Sequence, residues 1–201
     1  KETPQSGVNL HFQVENMVYG IETPVNRVVL EGPTETVELD KINDWFLFSQ
    51  DLFVIYNDNV DHFKYKGNYK LTVYADGFKS ASVEFTVTKG ESVVNYALKF
   101  VGNPYRWGGT SLTNGADCSG FVQSVYNNFG VSLPRTSYEQ QNAGREVSYS
   151  EAQPGDLICY GGHVAIYMGN GKIVHASNSR DGIKISDNAA YRTILSVRRL
   201  V

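Results

Sequence analysis

Asp117-Cys118-Ser119-Gly120-Phe121 is the stretch whose reading decides the rest of the chain. A cysteine stands between small polar residues. Phe121, Val122, Val125, Tyr126 and Phe129 then recur at helical spacing, and Gly130 is placed to end the pattern. Asp117 falls where a helix N-cap belongs. A thiol in the first turn of a helix meets unpaired N–H groups and the positive end of the dipole, which favour thiolate. A small buried core cysteine is the alternative. Asp, Ser and Gly are poor core company, so the stretch reads as a nucleophile on a helix start.

A nucleophilic thiol needs a base, and the chain has four histidines. His11 and His62 lie far upstream, with no Cys or His at metal-ligand spacing, and read as structural or exposed. His163 and His175 lie in two β-type runs around Gly169-Asn170-Gly171, a hairpin pattern. Register decides whether they cooperate. A three-residue loop with Asn170 at its tip sets Ala165 opposite His175 and places His163 diagonal to it on the same face, within side-chain reach. A two-residue Asn170-Gly171 turn, the stronger hairpin signal in isolation, throws them onto opposite faces. The chemistry favours the three-residue loop, and the sequence alone does not settle the register.

Five motifs stand in order: Pro104-Tyr105-Arg106-Trp107-Gly108-Gly109, Asp117-Cys118-Ser119-Gly120-Phe121, Pro154-Gly155-Asp156-Leu157, Gly162-His163-Val164-Ala165-Ile166-Tyr167 and Val174-His175-Ala176. Together they resemble the NlpC/P60 cell-wall cysteine peptidases over residues 91–201. The resemblance implies a papain-like α+β domain with helices packed on an antiparallel sheet. It implies cleavage of peptidoglycan stem peptides, usually between D-γ-glutamate and a diamino acid. Cys118 matches the family nucleophile, His163 its base and His175 the third, orienting residue. Tyr105 matches a tyrosine lining the active site and joins the Cys118 amide as a candidate oxyanion donor. Trp107, Gly108 and Gly109 would shape the adjoining wall, although Tyr105 and Trp107 could equally pack under the helix. Asp117 and Ser119 are candidates for substrate contact on the acyl side, with helix capping an alternative or additional role for Asp117. Leu133-Pro134-Arg135-Thr136-Ser137 matches a segment near the cleft, which adds Arg135 and Ser137; Arg135 would meet a stem-peptide carboxylate or a surface acid.

Composition bounds the alternatives. With 201 residues the chain can hold one domain or two. Its 18 Lys+Arg against 21 Asp+Glu leave no basic block for nucleic acid and no acidic arm. Neither CxxC nor HExxH occurs, which excludes the common metallopeptidase patterns, and neither G-x-S-x-G nor a Walker-type loop is present. No cofactor or metal is expected. No stretch reaches the length of a membrane span. The opening Lys1-Glu2-Thr3-Pro4 reads as a mature or trimmed piece of a secreted wall protein, expected as a monomer. The two cysteines, Cys118 and Cys159, could pair in an oxidising compartment, but that would consume the nucleophile. Cys159, in the apolar run Leu157-Ile158-Cys159-Tyr160, reads as a buried strand residue.

Upstream the texture changes. Residues 1–7 form a polar lead-in. Short alternating runs such as Leu10-His11-Phe12-Gln13-Val14, Thr36-Val37-Glu38-Leu39 and Tyr69-Lys70-Leu71-Thr72-Val73-Tyr74 are separated by turn residues over 8–90. This predicts a small all-β, Ig-like sandwich. Residues 67–87 resemble the closing hairpin of bacterial surface modules, among them the hemoglobin-interacting module of streptococcal haem-uptake proteins. Trp45, Phe46 and Phe48 read as core, with an exposed binding strip the alternative. At Thr88-Lys89-Gly90 the hydrophobic period changes from two to about 3.6. A helix is predicted from Glu91 with Val93, Val94, Ala97, Leu98 and Val101 on one stripe, stopped by Gly102. Hence the domains: lead-in 1–7, sandwich 8–90, catalytic domain 91–201.

The leading reading is a peptidoglycan endopeptidase. Alternatives are an amidase cutting between muramic acid and L-Ala, an acyl transferase with the same triad, or a surface protein that acts mainly by binding a wall or surface ligand through residues 8–87.

Overall fold

The computed structural model describes residues 25–39, 65–77 and 79–201, together with three strands at 10–13, 45–49 and 52–55. The chain divides into two compact units, Lys1–Thr88 and Lys89–Val201. The lead-in 1–7, His62 and the side chains of His11, Trp45, Phe46 and Phe48 lie outside the described residues.

The first unit holds strands β1 (Leu10–Gln13), β2 (Val25–Glu31), β3 (Thr36–Leu39), β4 (Trp45–Ser49), β5 (Leu52–Ile55), β6 (Gly67–Ala75) and β7 (Ala81–Val87). They form two antiparallel sheets, ordered β1-β5-β4 and β3-β2-β6-β7. In the four-stranded sheet Val28, Leu30, Leu71 and Val73 are buried with Tyr69 and Val87. Tyr69 and Phe85 are cross-strand partners whose rings stack at 5.7 Å, the pairing that stabilises neighbouring strands.

The second unit opens with α1 (Lys89–Leu98). The helix begins two residues before the expected Glu91, and Gly90 explains how. It packs against Pro154 and Gly155, and a Cβ there would collide with the Pro154 carbonyl oxygen. Val93, Val94 and Ala97 are buried as the stripe predicts. Val101 is not: the chain leaves the helix after Leu98, and Val101 is 41% exposed. Gly102, at φ +93°, then donates to the Ile183 carbonyl.

After α1 come β8 (Thr110–Ser111), β9 (Gly115–Ala116), α2 (Cys118–Asn127), α3 (Ser137–Gln140), β10 (Arg145–Val147), β11 (Leu157–Tyr160), β12 (His163–Gly169), β13 (Lys172–Asn178), β14 (Gly182–Ser186) and β15 (Ile194–Arg199). Six of these strands make one antiparallel sheet, ordered β10-β15-β11-β12-β13-β14. This is a mixed helix-and-sheet domain. Alternate residues of its central strands serve two cores. Leu157, Cys159, Val164, Ile166 and Val174 pack with Val93, Val94, Phe121, Val122 and Val125 of the helices. Ile158, Tyr160, Ala165, Tyr167 and Ile173 pack on the other side. Pro154-Gly155-Asp156-Leu157 is structural: Tyr126 hydroxyl donates to the Gly155 carbonyl, and Asp156 accepts a two-pronged bond from Arg199 at 2.9 and 2.7 Å.

The β12–β13 hairpin has the two-residue turn but the histidine register expected of the three-residue loop. Gly169 pairs with Lys172 across Asn170-Gly171, whose φ values of +51° and +74° fit a type I′ turn. A bulge between Tyr167 and Gly169 then shifts the ladder by one residue, so that Tyr167 faces Ile173 and Ile166 faces Val174. The extra residue converts the two-residue turn into the register that brings the histidines to one face.

Gly120 lies in the first turn of α2, where a Cβ would overlap the Gly109 carbonyl oxygen. Helix propensity alone makes Gly120→Ala stabilising by up to about 1 kcal/mol. Overpacking against backbone reverses the sign, and a net loss of about 2 kcal/mol is expected. Urea midpoints of the two proteins decide between them; an equal or higher midpoint for the variant would discount the close approach.

Candidate active site

Cys118 is the first residue of α2, and Asp117 caps that helix with extended backbone angles of φ −84° and ψ 178°. The thiol is mostly buried, and the nearby amides of Val164, Ser119 and Cys118 itself favour its charged form. The Val164 amide belongs to the start of β12, the strand against which α2 packs. Burial pushes the Cys118 thiol above its ordinary range, and Asp117 adds to this, against the downward pull of the three amides. The expectation of a resting thiolate at the helix start is therefore corrected: desolvation outweighs the nearby amides. Cys159 is fully buried and unpaired on β11, pushed up to about 11 by burial.

His163 and His175 are both buried. Their rings sit 5.0 Å apart, and His163 Nε2 meets His175 Nδ1 at 2.7 Å. His175 Nε2 meets Ser186 Oγ at 2.9 Å. Ser186 lies opposite Ile173 on β14, diagonal to His175, so the same pleat geometry supplies the third contact. One tautomer set leaves a lone pair at His163 Nδ1: Nε2–H donates to His175, whose own Nε2–H donates to Ser186. Burial holds His163 down to about 3, with the His175 and Arg192 charges adding to it. His175 is held at about 4, again first by burial and then by Lys184 and Arg192. Near neutral pH the resting site is a thiol beside two uncharged imidazoles.

The polar residues around the thiol bind one another. The Asp117 carboxylate accepts from the Gly120 amide at 2.8 Å, the Gly108 amide at 2.9 Å and Ser119 hydroxyl at 3.3 Å. Arg135 forks onto both of its oxygens at 2.9 and 2.7 Å, and also donates to Ser119 Oγ at 2.9 Å. Burial alone would raise the Asp117 carboxyl; Arg135 and the two amides outweigh it and hold the group below the ordinary carboxylate range. Arg135 thus meets an acid of this chain, Asp117, not a loose surface acid. Ser137 is buried as the first residue of α3, behind a Thr136–Glu139 capping box.

Aromatic rings surround the site. Tyr105 is half-buried, bridges to Ala116 and packs against the helix core, while burial and the nearby Cys118 raise its hydroxyl. Trp107 is 85% exposed and does not pack under the helix. Tyr160 stacks on His163 with centroids 5.9 Å apart, and Tyr191 lies 6.1 Å from His175. Sequence reading missed Ser186, Tyr160 and Tyr191. Tyr160 had a local signal, closing the apolar run Leu157-Ile158-Cys159-Tyr160 three residues before His163. Ser186 and Tyr191 lie beyond a further strand pairing that no motif announced.

The described residues contain no group of three His, Cys, Asp or Glu placed to hold a metal ion. No helix among them is long and apolar enough to cross a membrane.

A mixed α/β domain with a helix-start cysteine beside a two-histidine pair defines the class. The NlpC/P60 family model matches residues 102–197, and the chain belongs to the NlpC/P60 family. It is 44% identical over 105 residues to the bifunctional muramidase/DL-endopeptidase CwlT of Bacillus subtilis, covering 48% of this chain and 31% of that protein. It is 48% identical over 93 residues to the murein DD-endopeptidase MepS/murein LD-carboxypeptidase of Escherichia coli, covering 43% of this chain and 49% of that one. The chain therefore spans less than half the length of these relatives. The crystal structure of the NlpC/p60 domain of the peptidoglycan hydrolase SagA aligns with a TM-score of 0.52 at 32% identity, over 56% of this chain and 100% of that domain.

Two predictions follow from the charges. The unfolded chain protonates both histidines near 6.5, whereas folded His163 and His175 resist to about 3 and about 4. Their contribution to stability is full above about pH 6.5 and is lost progressively towards pH 4 and below, with a slope of about 1.4 kcal/mol per pH unit for each imidazole. Asp117 adds a later loss as pH falls through its depressed folded value. Urea midpoints between pH 7 and 4 measure the first, and a flat profile contradicts it. Arg135→Ala leaves a nearly buried carboxylate unpaired and is expected to lose about 2–3 kcal/mol, discounted for the partly exposed guanidinium. Arg135→Lys, which cannot fork, should recover only part.

Proposed function

We propose that the second unit cleaves peptidoglycan stem peptides by a Cys118–His163–His175 thiol mechanism, at the bond between D-γ-glutamate and a diamino acid. The observation that carries this reading is the buried relay His163 Nε2–His175 Nδ1–Ser186 beside a helix-start thiol. Relatives named as endopeptidases and peptidoglycan hydrolases support the substrate class.

In this reading His163 Nδ1 takes the Cys118 proton as the sulfur attacks the amide carbonyl carbon. Neutral partners suit this step, because the proton and the charge move only when substrate is present. Negative charge on the carbonyl oxygen meets the Cys118 amide and the Tyr105 hydroxyl. The imidazolium returns its proton to the departing amine, leaving a thioester. Water, deprotonated by the same histidine, then releases the acid and restores the thiol. His175 fixes the tautomer and shares the transient charge, as the third member does in triads generally.

Asp117, Ser119 and Arg135 were candidates for direct substrate contact. Their mutual bonds support a positioning role instead: they hold the first turn of α2 and the 108–109 strap in place. Buried Ser137 fits the same support. Trp107 remains exposed and suits contact with an extended substrate. We assign the two sheets of the first unit to a small β-sandwich accessory domain that binds a wall or surface ligand, in a secreted monomeric protein.

A second bond is favoured by one observation, the 48% identity to a DD-endopeptidase. Digestion of cross-linked muropeptides followed by mass spectrometry separates the readings. Cutting after D-γ-glutamate leaves disaccharide-dipeptides, DD-cleavage turns dimers into intact monomers, and amidase action exposes the amine of L-Ala. Cys118→Ala should abolish turnover in a folded protein, while Cys159→Ala should keep it with any loss traceable to stability. Equal loss of turnover in two folded variants would sink the assigned roles.

A further inference from the structure

Tyr191 and Arg192 lie just before β15, outside every motif that identified the domain. Tyr191 packs edge-on against Tyr160 at 5.4 Å and against His175 at 6.1 Å, and Tyr160 in turn stacks on His163. The Arg192 guanidinium carbon sits 5.2 Å from the Tyr191 ring centroid, a cation–π arrangement that orients the group without neutralising it. Four other arginines of this unit are ion-paired within the chain: Arg135 with Asp117, Arg180 with Asp181, Arg198 with Glu146 and Arg199 with Asp156. Arg192 is exposed, and among the described residues its recorded contact is the Tyr191 ring.

The position of this cation relative to the reacting bond can be assigned. The leaving nitrogen must lie against the imidazole that protonates it. Whatever is attached to that nitrogen therefore passes along the His163–His175 side, where Tyr191 and Arg192 stand. The charge of Arg192 is felt by both imidazoles, whereas the charge felt by the thiol is that of Asp117. In a stem peptide cut after D-γ-glutamate, the group on the leaving nitrogen is the diamino acid.

We infer that Arg192, held on the Tyr191 ring beside the histidine pair, forms a carboxylate-reading subsite for the leaving group, selecting a diamino acid whose side chain ends in a carboxylate. meso-Diaminopimelate has that group and L-lysine lacks it. A guanidinium accepts a carboxylate in a two-pronged geometry that an ammonium cannot match. The inference rests on the proposed endopeptidase reading and deepens it, because it names the substrate's diamino acid.

The test compares kcat/KM of the full chain on three stem peptides that differ only at the third residue: meso-diaminopimelate, its side-chain carboxamide, and L-lysine. The diaminopimelate peptide should be preferred to both others by about tenfold, the size of one charge-assisted hydrogen bond. That preference should shrink as salt is raised. Arg192→Gln should bring the three substrates to within about twofold of one another, and Arg192→Lys should restore part of the gap. Equal turnover of the three by the unmodified protein overturns the inference while leaving the endopeptidase reading intact, as does an Arg192→Gln variant that keeps the full preference. Failure to cut any of them overturns the endopeptidase reading, and this inference with it.

Discussion

The Asp117 carboxylate is the constraint on which the site depends. It caps α2, holds the amide of Gly108 and takes both prongs of Arg135. Three separate stretches of chain, the 104–109 strap, the start of α2 and the segment before α3, are thereby fixed to one pair of oxygens. A helix start is ordinarily the frayed end of a helix, with orphan N–H groups turned to solvent. Here the first turn is clamped from two sides, and Gly109 presses on it so closely that only Gly120 fits. The thiol inherits that rigidity, which matters for a group that must meet a carbonyl carbon within a narrow range of distance and angle.

The electrostatics point the same way. A charged thiolate–imidazolium pair would have to survive in a largely dry setting, flanked by an anionic Asp117 that disfavours the thiolate. Desolvation works against both ions, and the site rests uncharged. Asp117 is neutralised by Arg135, so its field at the sulfur is muted. Proton transfer then coincides with the arrival of substrate, whose own polar groups supply the missing solvation.

Much of this was legible in the sequence, for identifiable reasons. Asp117 and Cys118 carry short-range signals: a cap and a helix start lie side by side, with the apolar helical pattern directly behind them. The β-type runs around Asn170 predicted a hairpin, but its turn is the two-residue Asn170-Gly171 one and not the three-residue loop that the chemistry favoured. What could not be read was the bulge beside Met168, because a bulge is fixed by packing on both sides of a strand and leaves no local signature. The thiolate expectation failed for a similar reason. Dipole and amides are local, whereas the burial of Cys118 comes from β12, some forty-five positions downstream. Ser186, Tyr191 and Arg192 reach the site through the β13–β14 pairing and the return to β15, and no spacing rule connects them to Cys118.

The bulge gives the hairpin an arithmetic of parity. Between the two histidines the count of residues is odd on the strands and even at the turn, and one extra residue reconciles them. A hairpin that kept its tight turn but paired Met168 into an unblemished ladder would set Ile166 opposite His175 and point one imidazole away from the other. A shape-based comparison would scarcely notice the change. The facing of the two imidazoles is therefore set by whether Met168 is paired or passed over, not by the length of the loop alone.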